Sequence, residues 1–319
     1  MVSDKKFTYT YITSFKYSGS TLLSMFLNLH PQVSTLGELY WMYPLHREKI
    51  GCSCGRVTSE CPYWLSIHDA VSEISGEPWS FAAVLRPRYS ESRYLNQLYL
   101  SVWDRPWMES INDKIVRLLP GYSEWFEELK RHHNAFFTGV FRATNTMCFV
   151  DESKTPWMLK YIPRFHQDHH VRIIHLFRDP RGVVASRKRK KESGTLDGWV
   201  DEWIKTEVEI ELRSKMYYPE KDILLLNYDE LCLSPETTWY TLLDFIGLPS
   251  YPFFGDLGKV EHHVIGNRSS FLRNGTNIVL DEKWHNELDN KELSRIQRRF
   301  EEKSPNWLLA RLSPIMTLL

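Results

Sequence analysis

Residues 8–38 constrain this chain more than any other stretch. Thr8 to Phe15 is β-branched and aromatic, the composition of a strand. Lys16-Tyr17-Ser18-Gly19-Ser20-Thr21 follows as a short loop rich in small residues. Leu22, Leu23, Phe26 and Leu27 then recur at helical spacing, and the helix must stop before Pro31. Strand, small-residue loop and helix together make an anion cradle, because backbone N–H groups and the positive end of the helix dipole face the loop. Gly19 lets the backbone approach a ligand closely, and Ser18, Ser20 and Thr21 add hydroxyl donors. The loop lacks the first glycine and the Gly-Lys-Ser/Thr ending of a Walker A sequence, so Mg-ATP is not its evident ligand. Taken alone, the segment fits plain strand–turn–helix packing equally well.

The rest of the chain supplies the context. Strands are predicted at 146–150, at 171–177 and at 222–227. The run Val171 to Phe177 is apolar throughout, the mark of a strand covered on both faces of a parallel sheet. Each run leads into a polar loop: Asp151-Glu152-Ser153-Lys154-Thr155-Pro156, Arg178-Asp179-Pro180-Arg181-Gly182, and Tyr228-Asp229-Glu230-Leu231. Pro235 to Ile246 is an amphipathic helix closed by Gly247 and Pro249. Strands alternating with helices predict an α/β fold, a parallel sheet flanked by helices. Residues 39–135 interrupt it as a mostly helical insertion, with helical patches at 64–74, 113–119 and 125–131. Its aromatics Trp79, Tyr89, Tyr94, Tyr99, Trp103 and Trp107 either line an acceptor site or, for most of them, pack the insertion onto the sheet. Ligands of such sheets bind at the carboxyl ends of the strands, which is where the Ser-Gly loop, Lys154, Arg178 and Tyr228 all fall.

Composition narrows the function classes. Lys plus Arg and Asp plus Glu both number 40, so no overall basic charge points to nucleic acid, and any anion site must be local. The expectation is one domain over 1–319, with no membrane span and no leader, in the cytoplasm, or else the catalytic part of a larger anchored protein. Among the five cysteines, Cys148 and Cys232 read as buried apolar residues. Cys52, Cys54 and Cys61 cluster in sequence and admit three readings: a loop with reduced thiols, which is favoured, one disulfide, or zinc held with His46 or His68.

Four segments, in order, resemble the sulfotransferases that use 3′-phosphoadenosine 5′-phosphosulfate (PAPS). FKYSGSTLL is similar to the family's 5′-phosphosulfate loop, and VDESKTP to the Asp-x-Ser-Lys-x-Pro element of its bacterial branch. LFRDPRGVVAS resembles the 3′-phosphate motif, an arginine, Arg178, with a serine, Ser186, eight positions on. LLLNYDELCLSPETTWYTLLDFIGLP resembles the segment carrying Tyr228 and the helix after it. A weaker likeness covers HHVIGNRSSF with Asp281 and Trp284 behind it, where Asn267 and Arg268 would close over the nucleotide.

The resemblance implies a P-loop-like nucleotide-binding fold and transfer of a sulfuryl group from PAPS to an acceptor hydroxyl. Residues 16–22, with Leu22 the last, would hold the phosphosulfate, and Arg178 and Ser186 the 3′-phosphate. Sulfuryl transfer is in-line and loose, so positioning and a cation at the leaving oxygen supply most of the rate, and no metal is required. Lys154 is the candidate cation. Related loops carry Lys or Arg where Tyr17 stands, and Lys16, one position earlier, is the other choice. Glu38 occupies the position of the catalytic glutamate in tyrosylprotein sulfotransferases, and is the candidate base, with His30, His46, His262 and His263 in reserve. The basic run 187–191 either steers an anionic nucleotide or acidic acceptor or, as favoured, is a solvated helix face. Two rival classes stand beside this one: a P-loop-like kinase or nucleotide hydrolase, and a non-catalytic nucleotide-binding protein on the same fold.

Overall fold

All four predicted strands form, and a fifth joins them. A computed structural model describes residues 6–39, 50–79, 106–265 and 277–316. In chain order the elements begin with β1 (Thr8–Thr13), α1 (Ser20–Leu27) and β2 (Val33–Gly37). Then come α2 (Pro62–Ser75), α3 (Pro106–Arg117) and α4 (Tyr122–Thr144), the described part of the insertion. The alternation resumes with β3 (Cys148–Lys154), α5 (Met158–Phe165), β4 (His170–Phe177), α6 (Pro180–Arg189), α7 (Leu196–Tyr217) and β5 (Ile223–Asn227). Six-residue α8 (Tyr228–Leu233) and α9 (Pro235–Ile246) follow, and α10 (Trp284–Glu287), α11 (Asn290–Lys303) and α12 (Asn306–Met316) end the described chain.

The five strands are parallel, in the order β2-β3-β1-β4-β5. β1 sits at the centre, with Thr8 opposite Cys148 on one side and His170 on the other. Period-2 alternation sorts its side chains between two layers. Tyr9 and Tyr11 join Phe149 and Ile173 under α2, α4 and α5, with Trp64, Phe136 and Leu159 buried among them. Ile12 joins Val150, Ile174 and Leu176 under α1 and α9, with Leu23, Phe26 and Trp239. A third apolar cluster, around Trp203, packs α6, α7, α11 and α12 together.

β2 was not anticipated, because Val33 to Gly37 is short and mixes Ser, Thr and Gly with its apolar residues. It forms because pairing with β3 satisfies its backbone on one side and Ile265 caps its end on the other. Gly37 makes this possible: its φ is 87°, and a Cβ there would lie 2.0 Å from the carbonyl oxygen of Ile265. β3 likewise runs further than the predicted 146–150, through the polar residues to Lys154. The Pro235–Ile246 helix appears as predicted, closed by Gly247 in the left-handed region with hydrogen bonds from Gly247 and Leu248 to Leu243.

In the insertion Trp79 packs inward, stacked on Phe136 at 5.2 Å, whereas Trp107 is 60% exposed. Tyr89, Tyr94, Tyr99 and Trp103 lie outside the described residues. Among the described residues no helix is long and apolar enough to cross a membrane. The insertion is fastened where α2 crosses α4 at Gly139: a Cβ there would fall 2.4 Å from Val71 Cγ2 and 3.0 Å from the Val71 backbone. Gly139→Val is therefore expected to destabilise the protein by about 2 kcal/mol, the usual cost of overpacking a close contact. Urea titration measures it, and an unchanged midpoint would show that the two helices are not in this contact.

Candidate functional site

Five parallel strands bring five carboxyl ends to one edge, and the side chains expected to do chemistry lie along it in sheet order. Glu38 follows β2, Lys154 ends β3, the Ser-Gly loop follows β1, Arg178 follows β4 and Tyr228 follows β5. All of them face one cavity of about 1000 Å³. Lys16, Tyr17, Gly19, Ser20, Thr21, Leu22 and Ser186 line it too. Ser18 is buried just behind the loop, and its hydroxyl and that of Ser14 have no hydrogen-bond partner. Asn267 and Arg268 lie outside the described residues.

The loop has the form of a cradle. Gly19 is the N-cap of α1 at φ 91° and brings no capping side chain, so the first-turn N–H groups of α1 are left for a ligand. Tyr228 closes the cradle from above: a Cβ on Gly19 would lie 2.4 Å from its ring. Tyr17 adopts φ 67° and turns its hydroxyl away to donate to Glu192 Oε1 at 2.5 Å. Burial, and then that carboxylate, push its phenol up to about 12. Lys16 is held by the same group, its Nζ donating to Glu192 Oε2 at 2.8 Å. Although burial opposes it, these two donors keep the Glu192 carboxyl below its ordinary value.

Lys154 stands second along the rim, between Glu38 and the Ser-Gly loop. Its ammonium donates to Glu38 Oε1 at 2.5 Å, with both side chains only 16% exposed. Its backbone is in the left-handed region, φ 62°, and the turn is braced from below. Asp151 accepts from Tyr9 Oη at 2.6 Å and from the Ser153 N–H and hydroxyl at 2.8 and 2.5 Å. Tyr11 Oη accepts from the Thr155 N–H at 2.8 Å.

Arg178 is buried and bracketed. Its Nη1 donates to the Tyr17 carbonyl and its Nη2 to the Asp281 carbonyl, both at 2.9 Å. Asp281 Oδ2 lies 3.2 Å away, and the Tyr228 ring lies under the guanidinium at 4.4 Å. Asp179, the adjacent acid, instead takes Arg181 through two guanidinium nitrogens. The hydroxyl of Ser186 donates to the Gly182 carbonyl at 2.8 Å while facing the cavity.

The structure corrects one reading and adds partners to two others. The basic run 187–191 is no uniform solvated face: Arg187 is buried between Glu192 and Glu202, at 2.8 and 2.6 Å, and Arg189 and Lys190 line the cavity. Arg189 lies three residues after Ser186, a helical spacing that places both on one face and marked it in the sequence. The reserve bases are engaged elsewhere: His30 with the Pro249 carbonyl, His262 with Asn28 and the Leu257 carbonyl, and His263 with the cysteines. His46 lies outside the described residues. Cys52, Cys54 and Cys61 are free of disulfides and gather around His263, whereas His68 faces Asp69.

Sequence reasoning passed over one group beside the site. Glu152 alternates with Asp151 on β3, so it points to the α1 layer, fully buried, and neither carboxylate oxygen has a hydrogen-bond partner. Burial pushes its carboxyl up to about 8, against the pull of the Lys154 ammonium.

A family model described as the sulfotransferase family matches residues 10–252. Among solved structures, the chain is similar to the sulfotransferase domain of the curacin biosynthetic pathway. The identity is 16%, covering 94% of this chain and 99% of that one, with a TM-score of 0.47. It is similar to the same extent, 16%, to the sulfotransferase domain of the Synechococcus PCC 7002 olefin synthase, over 94% and 97% of the two chains at a TM-score of 0.46. A mouse sulfotransferase complexed with PAP is 11% identical over 94% and 85%, also with a TM-score of 0.46. No curated protein matches.

The pH dependence of stability follows from Glu152. Its folded value of about 8 lies above the model-compound 4.5, so the folded state keeps a proton that the unfolded state releases. Stability is expected to fall as pH rises through that interval. Glu152→Gln should flatten the dependence and raise Tm at pH 8, read by thermal unfolding across the range. Parallel profiles for the two proteins would mean that Glu152 is ionised in the fold.

Proposed function

The chain belongs to the sulfotransferase family, and from that premise we propose how its rim works as a PAPS-dependent enzyme. PAPS lies across the strand ends. Its phosphosulfate sits on the first-turn amides of α1 in the 16–22 loop, and its 3′-phosphate meets Arg178, Ser186 and Arg189. The observation that carries this assignment is the pair of anion-binding sites opening on a single cavity, the Gly19 cradle and the Arg178 bracket. The orphaned hydroxyl of Ser14, which lines the cavity, suits the same ligand, since it lacks an acceptor that phosphate or sulfate oxygens supply.

Arg178 is already fixed by two carbonyls and the Tyr228 ring, so little ordering remains to be done on binding. A guanidinium has five N–H donors, and those not engaged by carbonyls can grip the 3′-phosphate. Lys16 and Tyr17 are committed to Glu192, which leaves Lys154 as the ammonium that meets the leaving bridging oxygen. An ammonium has three donors, so Lys154 can hold Glu38 and still stabilise that oxygen.

Glu38 is the base. An acceptor hydroxyl placed against its carboxylate attacks sulfur in line; the O–S bond to the acceptor forms as the bridging O–S bond breaks. The proton passes to Glu38, and the electron pair of the broken bond stays on the phosphate beside Lys154. The products are a sulfate ester and adenosine 3′,5′-bisphosphate. Because the transition state is loose, the base is needed late, when the attacking oxygen has become acidic. The Glu38–Lys154 contact therefore couples the two ends of the reaction, fixing the proton acceptor and the leaving-group cation relative to each other.

Two outcomes test this. Arg178→Ala should weaken adenosine 3′,5′-bisphosphate binding about 100-fold by calorimetry, the scale of charge-assisted hydrogen bonds of about 1.5–3 kcal/mol; undiminished affinity would remove the 3′-phosphate from this site. Glu38→Gln and Lys154→Ala should each lower kcat by about 100-fold or more in a sulfur-labelled PAPS assay over a panel of hydroxyl acceptors. Both should leave bisphosphate affinity within a few-fold of wild type. Unchanged turnover in Glu38→Gln would move the base elsewhere.

A further inference from the structure

The cysteine cluster lies away from the cavity and has no part in the transfer chemistry. Cys52, Cys54 and Cys61 are separated in sequence from His263, yet their sulfurs and its ring nitrogen all lie within 4.8 Å of one another. Cys54 Sγ and Cys61 Sγ are 3.6 Å apart, and His263 Nδ1 is 3.4 Å from Cys61 Sγ and 3.8 Å from Cys52 Sγ. Tetrahedral zinc with bonds of roughly 2.3 Å to sulfur and 2.0–2.1 Å to nitrogen requires edges of about 3.8 Å between sulfurs and about 3.6 Å from sulfur to nitrogen. The three separations have that size. Thiols packed for apolar contact have no reason to converge on a histidine nitrogen, and none of the three is in a disulfide.

We propose that Cys52, Cys54, Cys61 and His263 bind one structural zinc ion as a closed Cys₃His site. Three thiolates and an imidazole fill all four positions, which leaves none for a substrate or an activated water. Soft thiolates select zinc over magnesium or calcium, and a closed tetrahedral site suits an ion without redox chemistry.

The surroundings are those of a ligand set held in place. Cys52 and Cys54 sit on one tight turn. The turn between them is closed by Cys52 N–H to Arg56 O at 2.8 Å and Gly55 N–H to Cys52 O at 3.1 Å, with Gly55 at φ 98°. Tyr63 stacks on the His263 ring at 4.4 Å, and Trp64 Nε1 donates to its carbonyl at 3.1 Å. Glu261 lies 3.8 Å from its Nε2, an ion-pair separation at the ring nitrogen opposite Nδ1. The zinc would clasp the start of the insertion to the segment that reaches Ile265.

Metal analysis of the whole protein, purified without chelator from zinc-supplemented culture, should give one zinc per chain. Cobalt substitution should produce the intense ligand-field bands and thiolate charge transfer of a tetrahedral sulfur-rich site. His263→Ala and Cys54→Ser, the latter at a partly exposed position, should weaken metal affinity at least about tenfold, measured by competition with a zinc indicator. Chelation of the wild type should lower Tm. Metal-free wild-type protein that takes up neither zinc nor cobalt overturns the assignment, as does iron in place of zinc. Full zinc retention in folded His263→Ala overturns the histidine as fourth ligand.

Discussion

Parallel pairing dictates where everything else in this protein must be. Parallel strands all point the same way, so each crossover returns to the start and every carboxyl end falls on one edge. Here the order β2-β3-β1-β4-β5 turns a list of residues remote in sequence into a row: Glu38, Lys154, the Ser-Gly loop, Arg178, Tyr228. Several contacts across the site are contacts between neighbours in that row, although the Tyr228 ring also reaches past Arg178 to Gly19. Glu38 meets Lys154 because β2 pairs with β3, and Arg178 reaches the Tyr17 carbonyl and the Tyr228 ring because β4 lies between β1 and β5. The cavity is the consequence of topology, and its specificity lies in which side chain each strand delivers.

The row also separates two kinds of positive charge. Lys16 and Arg187, with the neutral Tyr17 hydroxyl beside them, are tied up with Glu192, and both cations also lie by Glu202, although Lys16 and Tyr17 reach the cavity wall as well. Lys154 and Arg178 face the cavity, each with an acid beside it, Glu38 and Asp281. An ion pair that is mostly buried costs desolvation and stabilises little. It does hold long side chains in one geometry before any ligand arrives. On the proposed reading Tyr17, standing where the resemblance expects a cation, need not weaken the site, because Lys154 on the neighbouring strand brings an ammonium to the same cavity.

Much of this was legible in the sequence, for identifiable reasons. The Val171–Phe177 strand and the Pro235–Ile246 helix announce themselves through a continuous apolar run and through a proline start with a glycine stop. The cradle was visible because it is local: strand, loop and helix are contiguous. β2 was not visible, because its five residues are held by β3 and by Ile265, far along the chain. The same holds for the partners of the candidate residues. Glu192 as the anchor of Lys16 and Tyr17, and His263 as the companion of three cysteines, are separations of 175 residues or more that no spacing rule reaches. Arg189 was within reach through its helical phase to Ser186, but its neighbours made the run look like an exposed charge cluster.

The least braced part of the row is its outer end. Glu38 follows β2, and on the side away from β3 the strand end is paired, among the described residues, with Ile265: Ile265 N–H donates to the Leu36 carbonyl at 2.9 Å and Glu38 N–H to the Ile265 carbonyl at 3.3 Å. Nothing in the sheet itself fixes the height of that segment. Two residues before Ile265 stands His263, held by Tyr63 and Trp64 of α2, by Ser53 through the flanking backbone, and by the cysteines. Contacts thus run from the insertion to the segment of Ile265, from Ile265 to the Glu38 backbone, and from Glu38 to Lys154. Gly37 is the point at which this chain tolerates no side chain, since its Cβ would meet the Ile265 carbonyl. The insertion, by this path, is mechanically part of the site although its cysteines do not line the cavity.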